Sequence, residues 1–237
     1  MRRRPSSWKS NETRREEFIH AAIEIWGKEC QEGASLIDVG AGLCPYREVV
    51  EKAGITYFSH DFSLYTPDKS QEGLQNSAWK YPQHDYTCEI LEIPVEIKFD
   101  FVLCTEVLEH VPDPVRALEK ISQLLKPGGQ VLITVPEFSL EHQSPFWFQP
   151  GLSKNWFNHW SPKFSLEIIR MTRSGDYSDV MIQEISRMLS YKKWLRLRMR
   201  LAILLTSFLA STLPKSLLNS TSFGIHYIAE KSGNQSI

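Results

Sequence analysis

The feature that most constrains this chain is an alternation, from residue 12 to residue 135, of short apolar runs with stretches of helical periodicity. "ETRREEFIHAAIEIWGKE" repeats apolar side chains at Phe18, Ile19, Ala22, Ile23 and Ile25/Trp26, with Asn11 placed to cap it. Gly33 breaks that pattern, and Ser35–Val39 reads as a strand. "YREVVEKAG" reads as a helix ending at Gly54, "ITYFSHDF" as a second strand, "DYTCEI" as a short third and "FDFVLC" as a buried fourth. "DPVRALEKISQLLKPGG" sets Val115, Leu118, Ile121 and Leu124/Leu125 on one helical face before Pro and two Gly, and "QVLITVP" follows as another buried strand. Strands that alternate with helices in this way imply a parallel sheet covered on both faces. The expected fold class is α/β.

After residue 136 the rhythm changes. "EFSLEHQSPFWFQPGLSKNWFNHW" is rich in aromatics, Pro and polar residues and reads as a long loop with a short helix, the kind of segment that covers a site. "FSLEIIRM" fits a helix or a strand, "DYSDVMIQEISRML" starts a long helix, and "FGIHYIAEK" is a closing strand. Residues 63–80 read as a polar loop. The organisation expected is an N-terminal arm and helix (1–34), a ligand-binding core (35–136), and a lid with the remaining elements of the same domain (137–237). With 42% apolar residues, 237 residues suffice for one large packed domain.

Charge divides the chain. Residues 1–150 carry 15 Lys and Arg against 23 Asp and Glu, and residues 151–237 carry 12 against 5, so the two ends present different surfaces. Cys30, Cys44, Cys88 and Cys104 form no C-x-x-C pair and have no zinc-like His spacing, which suits reduced thiols in a cytoplasmic protein. The opening "MRRRPSSWKSNETRREEF" has the basic residues of a signal peptide without an apolar segment of sufficient length behind them.

The ligand is read from "LIDVGAGLCPY". Gly40 and Gly42 after a strand let backbone approach a ligand closely, but the third position of a dinucleotide fingerprint is Pro45, and Asp38 would repel a pyrophosphate. Asp61, ending the second strand, can accept both hydroxyls of a ribose, and Glu89, after the third, can accept from an exocyclic adenine amine. Each acid alone is unremarkable as a solvated residue or cap. Together they describe an adenosine bearing an amino acid and no phosphates, as in S-adenosyl-L-methionine.

The strings "LIDVGAG", "YFSHDFS", "FDFVLCTEVLEHVPDP" and "LLKPGGQVLITVP" resemble, in order, the motifs of class I S-adenosylmethionine-dependent methyltransferases over roughly residues 35–136. The resemblance implies a Rossmann-like, mostly parallel seven-stranded sheet with helices on both faces. It implies that Asp38, Gly40, Ala41 and Gly42 line the methionine end, Asp61 holds the ribose with Phe62 against the adenine, Glu89 and Ile90 sit at the adenine edge, and Cys104, Thr105 and Glu106 close the pocket. "LCP" after Gly42 departs from members with another Gly there. The lid stretch loosely resembles bacterial members associated with surface-glycan biosynthesis.

Methyl transfer needs a base only when the acceptor is a hydroxyl or a protonated amine. His110, following the fourth strand, is the candidate base; the alternative is that it braces the "LEHVPDP" turn. Glu106, Glu109 and His110 form E-x-x-E-H, which some similar quinone O-methyltransferases use for a divalent metal; no metal is assigned here. The lid aromatics, with His142 and His159, suit a sugar or a planar acceptor, or form a small core of their own. The acceptor expected is a small or lipid-linked molecule, a glycan hydroxyl first. A quinone-pathway O-methyltransferase and a non-catalytic cofactor-binding regulator are the alternatives. Balanced charge and the lack of an N/D-P-P-Y string argue against nucleic acid. Finally, no acid lies between Glu184 and Glu230, whereas seven Lys and Arg do. On a helix Lys192, Lys193, Arg196 and Arg200 oppose Trp194, Leu201, Leu205 and Phe208. The run Leu201–Leu213 is 13 residues, short of the roughly 20 that span a bilayer. For residues 191–213 packing on the sheet is the default expectation, and contact with an anionic membrane surface, cover over the substrate site or contact with a second subunit are the alternatives.

Overall fold

The computed structural model describes residues 11–67, 80–191, 204–206, 208 and 212–233. Its centre is one seven-stranded sheet built from β1 (Ser35–Val39), β2 (Thr56–Asp61), β3 (Tyr86–Thr87), β4 (Phe99–Thr105), β5 (Leu125–Pro136), β6 (Leu166–Ser174) and β7 (Gly224–Lys231). The order is β3-β2-β1-β4-β5-β7-β6. The first five strands pair in parallel, and β7 enters antiparallel between β5 and β6. The expected Rossmann-like α/β architecture is present.

Both faces are covered because the central strands β1 and β4 send apolar side chains both ways. Ile37 and Val39 of β1, with Val102 and Cys104 of β4, pack with Leu118, Ile121 and Leu124 of α3 (Pro114–Leu124). Leu36, Phe101 and Leu103 face the other way, toward Ile19, Ile23 and Trp26 of α1 (Asn11–Glu29) and Val50 of α2 (Arg47–Lys52). On that face Trp26 stacks on Phe101 at 4.6 Å and its indole N–H donates to Gln130 Oε1 at 2.7 Å, so the ring is buried without losing its polar partner. Helix α3 begins where Asp113 accepts from the Arg116 amide at 3.0 Å and Pro114 takes the first turn.

Two elements differ from the sequence expectation, and one open choice between helix and strand is settled. "DYTCEI" pairs only at Tyr86–Thr87 and then turns into a 3-10 segment, Ile90–Glu92, whose start is tied by Glu92 accepting from the Glu89 amide at 3.3 Å. Helix α3 stops at Leu124, and Leu125 already has the extended backbone of β5. "FSLEIIRM" is strand β6. The lid contains helix α4 (Lys154–Trp160), and α5 (Tyr177–Tyr191) follows β6. Most of the basic segment 191–213 lies outside the described residues. Within it, Leu204, Leu205 and Phe208 are exposed. No described helix is long and apolar enough to cross a membrane.

Strand order reverses between β1 and β4, so the loops leaving their C-terminal ends diverge and leave a crevice there. The cavity described next occupies that crevice.

Candidate active site

A cavity of about 600 Å³ opens at the C-terminal ends of β1, β2 and β4. Its floor is the loop after β1. Gly40 and Gly42 have φ of +73° and +53°, in the region that favours glycine. At Gly40 the reason is partly internal, because an added Cβ would lie 2.3 Å from Val107 Cγ2. The loop is held by its neighbours on β2: Ala41 N–H donates to the His60 carbonyl at 2.8 Å, and Gly42 N–H to Asp61 Oδ2 at 2.9 Å. Asp61 Oδ1 accepts from the Ser63 amide at 2.7 Å, which leaves each carboxylate oxygen with further accepting capacity.

The structure brings most of the expected residues together on this wall. Gly40, Ala41, Gly42, Asp61, Phe62, Glu89, Ile90, Thr105, Glu106 and His110 all line the cavity. Asp38 and Cys104 do not, and their expected places are corrected. Asp38 is buried beneath the loop, where its Oδ2 accepts from the Tyr57 hydroxyl at 2.7 Å. Burial, then the Tyr57 bond acting against it, then the nearby Asp61 charge bring its pKa up to about 7. Cys104 is fully buried in the core, and burial pushes its thiol well above the ordinary value. An alternating strand explains both, since neighbours of wall residues point into the sheet's packed faces.

Two wall residues escape sequence reasoning. Arg15 reaches the cavity from α1, 3.2 Å from Glu106 Oε2, with its buried Nε lacking a hydrogen-bond partner. A signal existed: Arg15 falls on the stripe of Ile19, Ala22 and Trp26, and a cation on a buried helical face is unusual. His60 is the other. Its Nδ1 accepts from Gly40 N–H at 3.4 Å and its Nε2–H donates to the Cys88 carbonyl at 3.0 Å, a pairing that requires the neutral ring. Burial lowers its pKa to about 4.

The lid forms the remaining wall. His110 Nδ1–H donates to the Phe146 carbonyl at 2.5 Å, Phe148 N–H donates to the Glu109 carbonyl at 3.0 Å, and the Gln149 amide donates to the Leu108 carbonyl at 2.7 Å. The rings of His110 and His142 meet edge to face at 4.8 Å, and those of Phe62 and Phe146 at 4.9 Å. Burial, then neighbouring His142, lowers the His110 pKa to about 4, so the imidazole is neutral with its Nε2 lone pair free of the Phe146 bond. Glu109 is fully buried, neither carboxyl oxygen has a hydrogen-bond partner, and burial followed by the Glu106 charge raises its pKa well above the ordinary value. His110 Nε2 and Glu109 Oε1 are 3.9 Å apart. With the imidazole neutral this is a contact rather than an ion pair. Glu109, His110 and His142 offer three ligand atoms within 4.8 Å of one another, a set that could hold a cation. It differs from the E-x-x-E-H reading by exchanging Glu106 for His142.

Not all lid aromatics face the cavity. Phe146 and Phe148 do, whereas Phe157 is fully buried and stacks on Tyr227 of β7 at 4.6 Å, with Trp156 and Trp160 packed beside it. His159 lies away from the cavity wall, with its Nε2 2.7 Å from Lys163 Nζ.

Residues 10–184 match the family model described as a methyltransferase domain. This chain belongs to that methyltransferase family. It is 31% identical over 127 residues to a ubiquinone biosynthesis O-methyltransferase from Methylococcus capsulatus, covering 54% of this chain and 51% of that protein. A Coxiella burnetii protein of the same description is 30% identical over 49% of this chain and 47% of its own length. The chain thus spans about half the length of these curated relatives. Among solved structures, Burkholderia thailandensis 1,6-didemethyltoxoflavin-N1-methyltransferase, with its substrate and S-adenosylhomocysteine bound, has a TM-score of 0.51 at 15% identity over 93% of this chain and 81% of that one, a likeness of fold.

The methyltransferase uses S-adenosyl-L-methionine. Its cavity fits that group. A guanidinium with a spare donor suits the methionine carboxylate, Asp61 has accepting capacity for a ribose diol, and Phe62 with Ile90 offers apolar surface to a planar base.

Proposed function

We propose that this methyltransferase acts on an acidic ring hydroxyl of a small planar acceptor, with His110 as the general base. The observation that carries the reading is the lid wall, where a neutral imidazole with a free Nε2 stands among Phe146, Phe148 and His142. A base whose conjugate acid has a pKa of about 4 is poorly matched to an aliphatic hydroxyl and better matched to a phenol, whose pKa is near 10. The wall has aromatic faces and few donors, whereas a sugar would call for many polar partners. Exposed Leu43 and Phe148 at the mouth give an apolar substituent a path outward. The relatives named for ubiquinone O-methylation support oxygen as the accepting atom. A glycan hydroxyl, favoured by the lid sequence, becomes the lesser reading.

When bound, the cofactor supplies a sulfonium methyl carbon open to in-line attack. Arg15 would pair with its carboxylate, Asp61 would accept from the ribose hydroxyls, Phe62 and Ile90 would hold the adenine with Glu89 at its edge, and Gly40, Ala41, Gly42, Thr105 and Glu106 would shape the remainder. His110 Nε2 would take the acceptor proton as the oxygen attacks, and the Phe146 carbonyl would hold the imidazole in the correct tautomer. The test is S-adenosylhomocysteine release with catechols, alkylated catechols and monosaccharides as acceptors. Turnover of catechols is expected. Turnover of sugars alone overturns the reading, and cofactor binding without release from any acceptor favours a regulator.

One observation supports a second reading. A fully buried carboxyl with two unpartnered oxygens beside two imidazoles is what a divalent cation would satisfy. Activity lost to a chelator and restored by one divalent ion supports it; unchanged activity and no metal in the purified protein removes it.

For residues 191–213 the reading is peripheral contact with an anionic leaflet, supported by the acid-free sequence and by exposed Leu204, Leu205 and Phe208. Vesicle pelleting that weakens with salt and is lost when Lys192, Lys193, Arg196 and Arg200 become Glu is expected, since each cation near such a surface contributes about 1 kcal/mol. Absence of pelleting at low ionic strength ends it.

A further inference from the structure

Phe146 is the residue at which the two walls of the cavity meet. Its ring stands edge to face against Phe62, at 4.9 Å and 85°, and Phe62 follows β2 on the cofactor wall. Its carbonyl accepts from His110 Nδ1–H. A carbonyl can only accept, so this bond fixes the ring with its proton on Nδ1 and its lone pair on Nε2. The flanking chain is zipped to the same turn by Phe148 N–H on the Glu109 carbonyl and by Gln149 on the Leu108 carbonyl. Lid and turn are therefore joined by three hydrogen bonds. Lower in the lid, Leu152 N–H donates to the Pro136 carbonyl at 2.8 Å and Ser139 N–H to the Pro150 carbonyl at 2.7 Å, so its base is anchored at the end of β5. The Phe62–Phe146 ring pair is the described aromatic contact between the lid and the loop after β2.

We propose that Phe146 is a positioning residue that couples occupancy of the cofactor wall to the tautomer and aim of His110. The coupling rests on the reading of Phe62 at the adenine and His110 as the base. When Phe62 is held by a planar group on its other side, its edge-to-face partner is held too, and the Phe146 carbonyl is kept on His110. When Phe62 is loose, that support is removed and the imidazole is free to exchange its proton between nitrogens. An edge-to-face pair biases a two-position equilibrium by about tenfold at most, enough for a positioning effect and too little for a fold-determining one.

The test uses the full chain with 15N-labelled histidine and S-adenosylhomocysteine as the probe. His110 is identified by the signal missing from His110→Gln. In the wild type His110 is expected to show a protonated Nδ1 and a bare Nε2, with lines that narrow on adding the probe. In Phe146→Ala the nitrogen shifts should move toward an average of the two tautomers and the probe should no longer narrow them, while probe affinity by calorimetry weakens by no more than about tenfold, the factor that the same coupling sets. Phe146→Tyr, which keeps the ring edge, should behave as wild type. Phe146→Leu keeps apolar bulk without the ring and should behave as Phe146→Ala, so the result does not depend on one variant folding. A wild-type His110 pattern in both Phe146→Ala and Phe146→Leu overturns the proposal. Failure of the wild type to bind the probe overturns the cofactor placement and the coupling with it, and wild-type turnover in His110→Ala overturns the base reading instead. The three failures are read by different measurements.

Discussion

The cofactor wall and the lid wall of the cavity are built by different means. Along the first, position comes mostly from strand register, with the Asp61 carboxylate and the His60 ring bracing the loop. Parallel register sets Val39 beside His60 and Cys104, and the loop above is fixed by Ala41 on the His60 carbonyl and Gly42 on Asp61. The lid is tied by a few backbone bonds, Phe148 to Glu109 and Leu152 to Pro136, and otherwise by side chains reaching the backbone of other segments, Gln149 to Leu108 and His110 to Phe146, and by ring contacts. Register tolerates side-chain change but not backbone change. A lid that also leans on side chains and ring contacts is sensitive to side-chain change as well. Substitutions on the first wall should therefore cost folding and cofactor affinity together, and those on the second should separate turnover from both.

The largest effect is expected from Gly40→Val. A β-branched residue at φ +73° is strained by about 1–3 kcal/mol, and its Cβ overlaps Val107. Loss of measurable cofactor binding by calorimetry, with a lowered melting temperature, is the expected result; near-wild-type affinity would show that the loop is not held by backbone. His110→Ala should come next. Turnover on whichever ring hydroxyl proves active should fall by ~100-fold or more while cofactor affinity stays close to wild type. A matching loss of affinity would erase the contrast between the walls.

The smallest effect sharpens the contrast through pH. Neutral His60 braces Gly40 and Cys88, and its folded pKa of about 4 lies below the ordinary 6.5. Between those values the unfolded chain binds the extra proton, so stability rises with pH there and is lost as pH falls from about 6.5 toward 4. Asp38, raised to about 7, has the opposite sign, because its folded form keeps a proton that the unfolded chain releases above pH 3.8. Replacing His60 with Asn should flatten the acid-side loss of stability by on the order of 1–3 kcal/mol, read from denaturant melts at pH 4.5 and 6.5. An unchanged slope would mean that His60 is not held neutral by the loop.

What the sequence disclosed follows the same division. Strands β1, β4 and β5 were legible because their central residues are buried on both faces, where Val, Ile, Leu, Phe and Cys predominate. The loop after β1 was legible because positive φ leaves its signature as glycine. β6 was ambiguous because "FSLEIIRM" places apolar residues at spacings that suit either period, and its partner β7 lies more than fifty residues later. The membership of Asp38 and Cys104 was misread because a motif names a stretch while the pleat decides which of its residues face the cavity. Arg15 and Phe146 owe their places to contacts with residues far along the chain, and neither belongs to a local motif.

The late antiparallel strand has a consequence for synthesis. β5 is complete at Pro136, yet its outer neighbour β7 spans Gly224–Lys231, and β6 pairs through that same strand. On the ribosome the apolar edge of β5 therefore waits while almost ninety further residues emerge. An unpaired strand edge of that kind is a template for joining another chain. The aromatic segment made in the interval waits as well, because Phe157 finds its stacking partner Tyr227 only on that late strand.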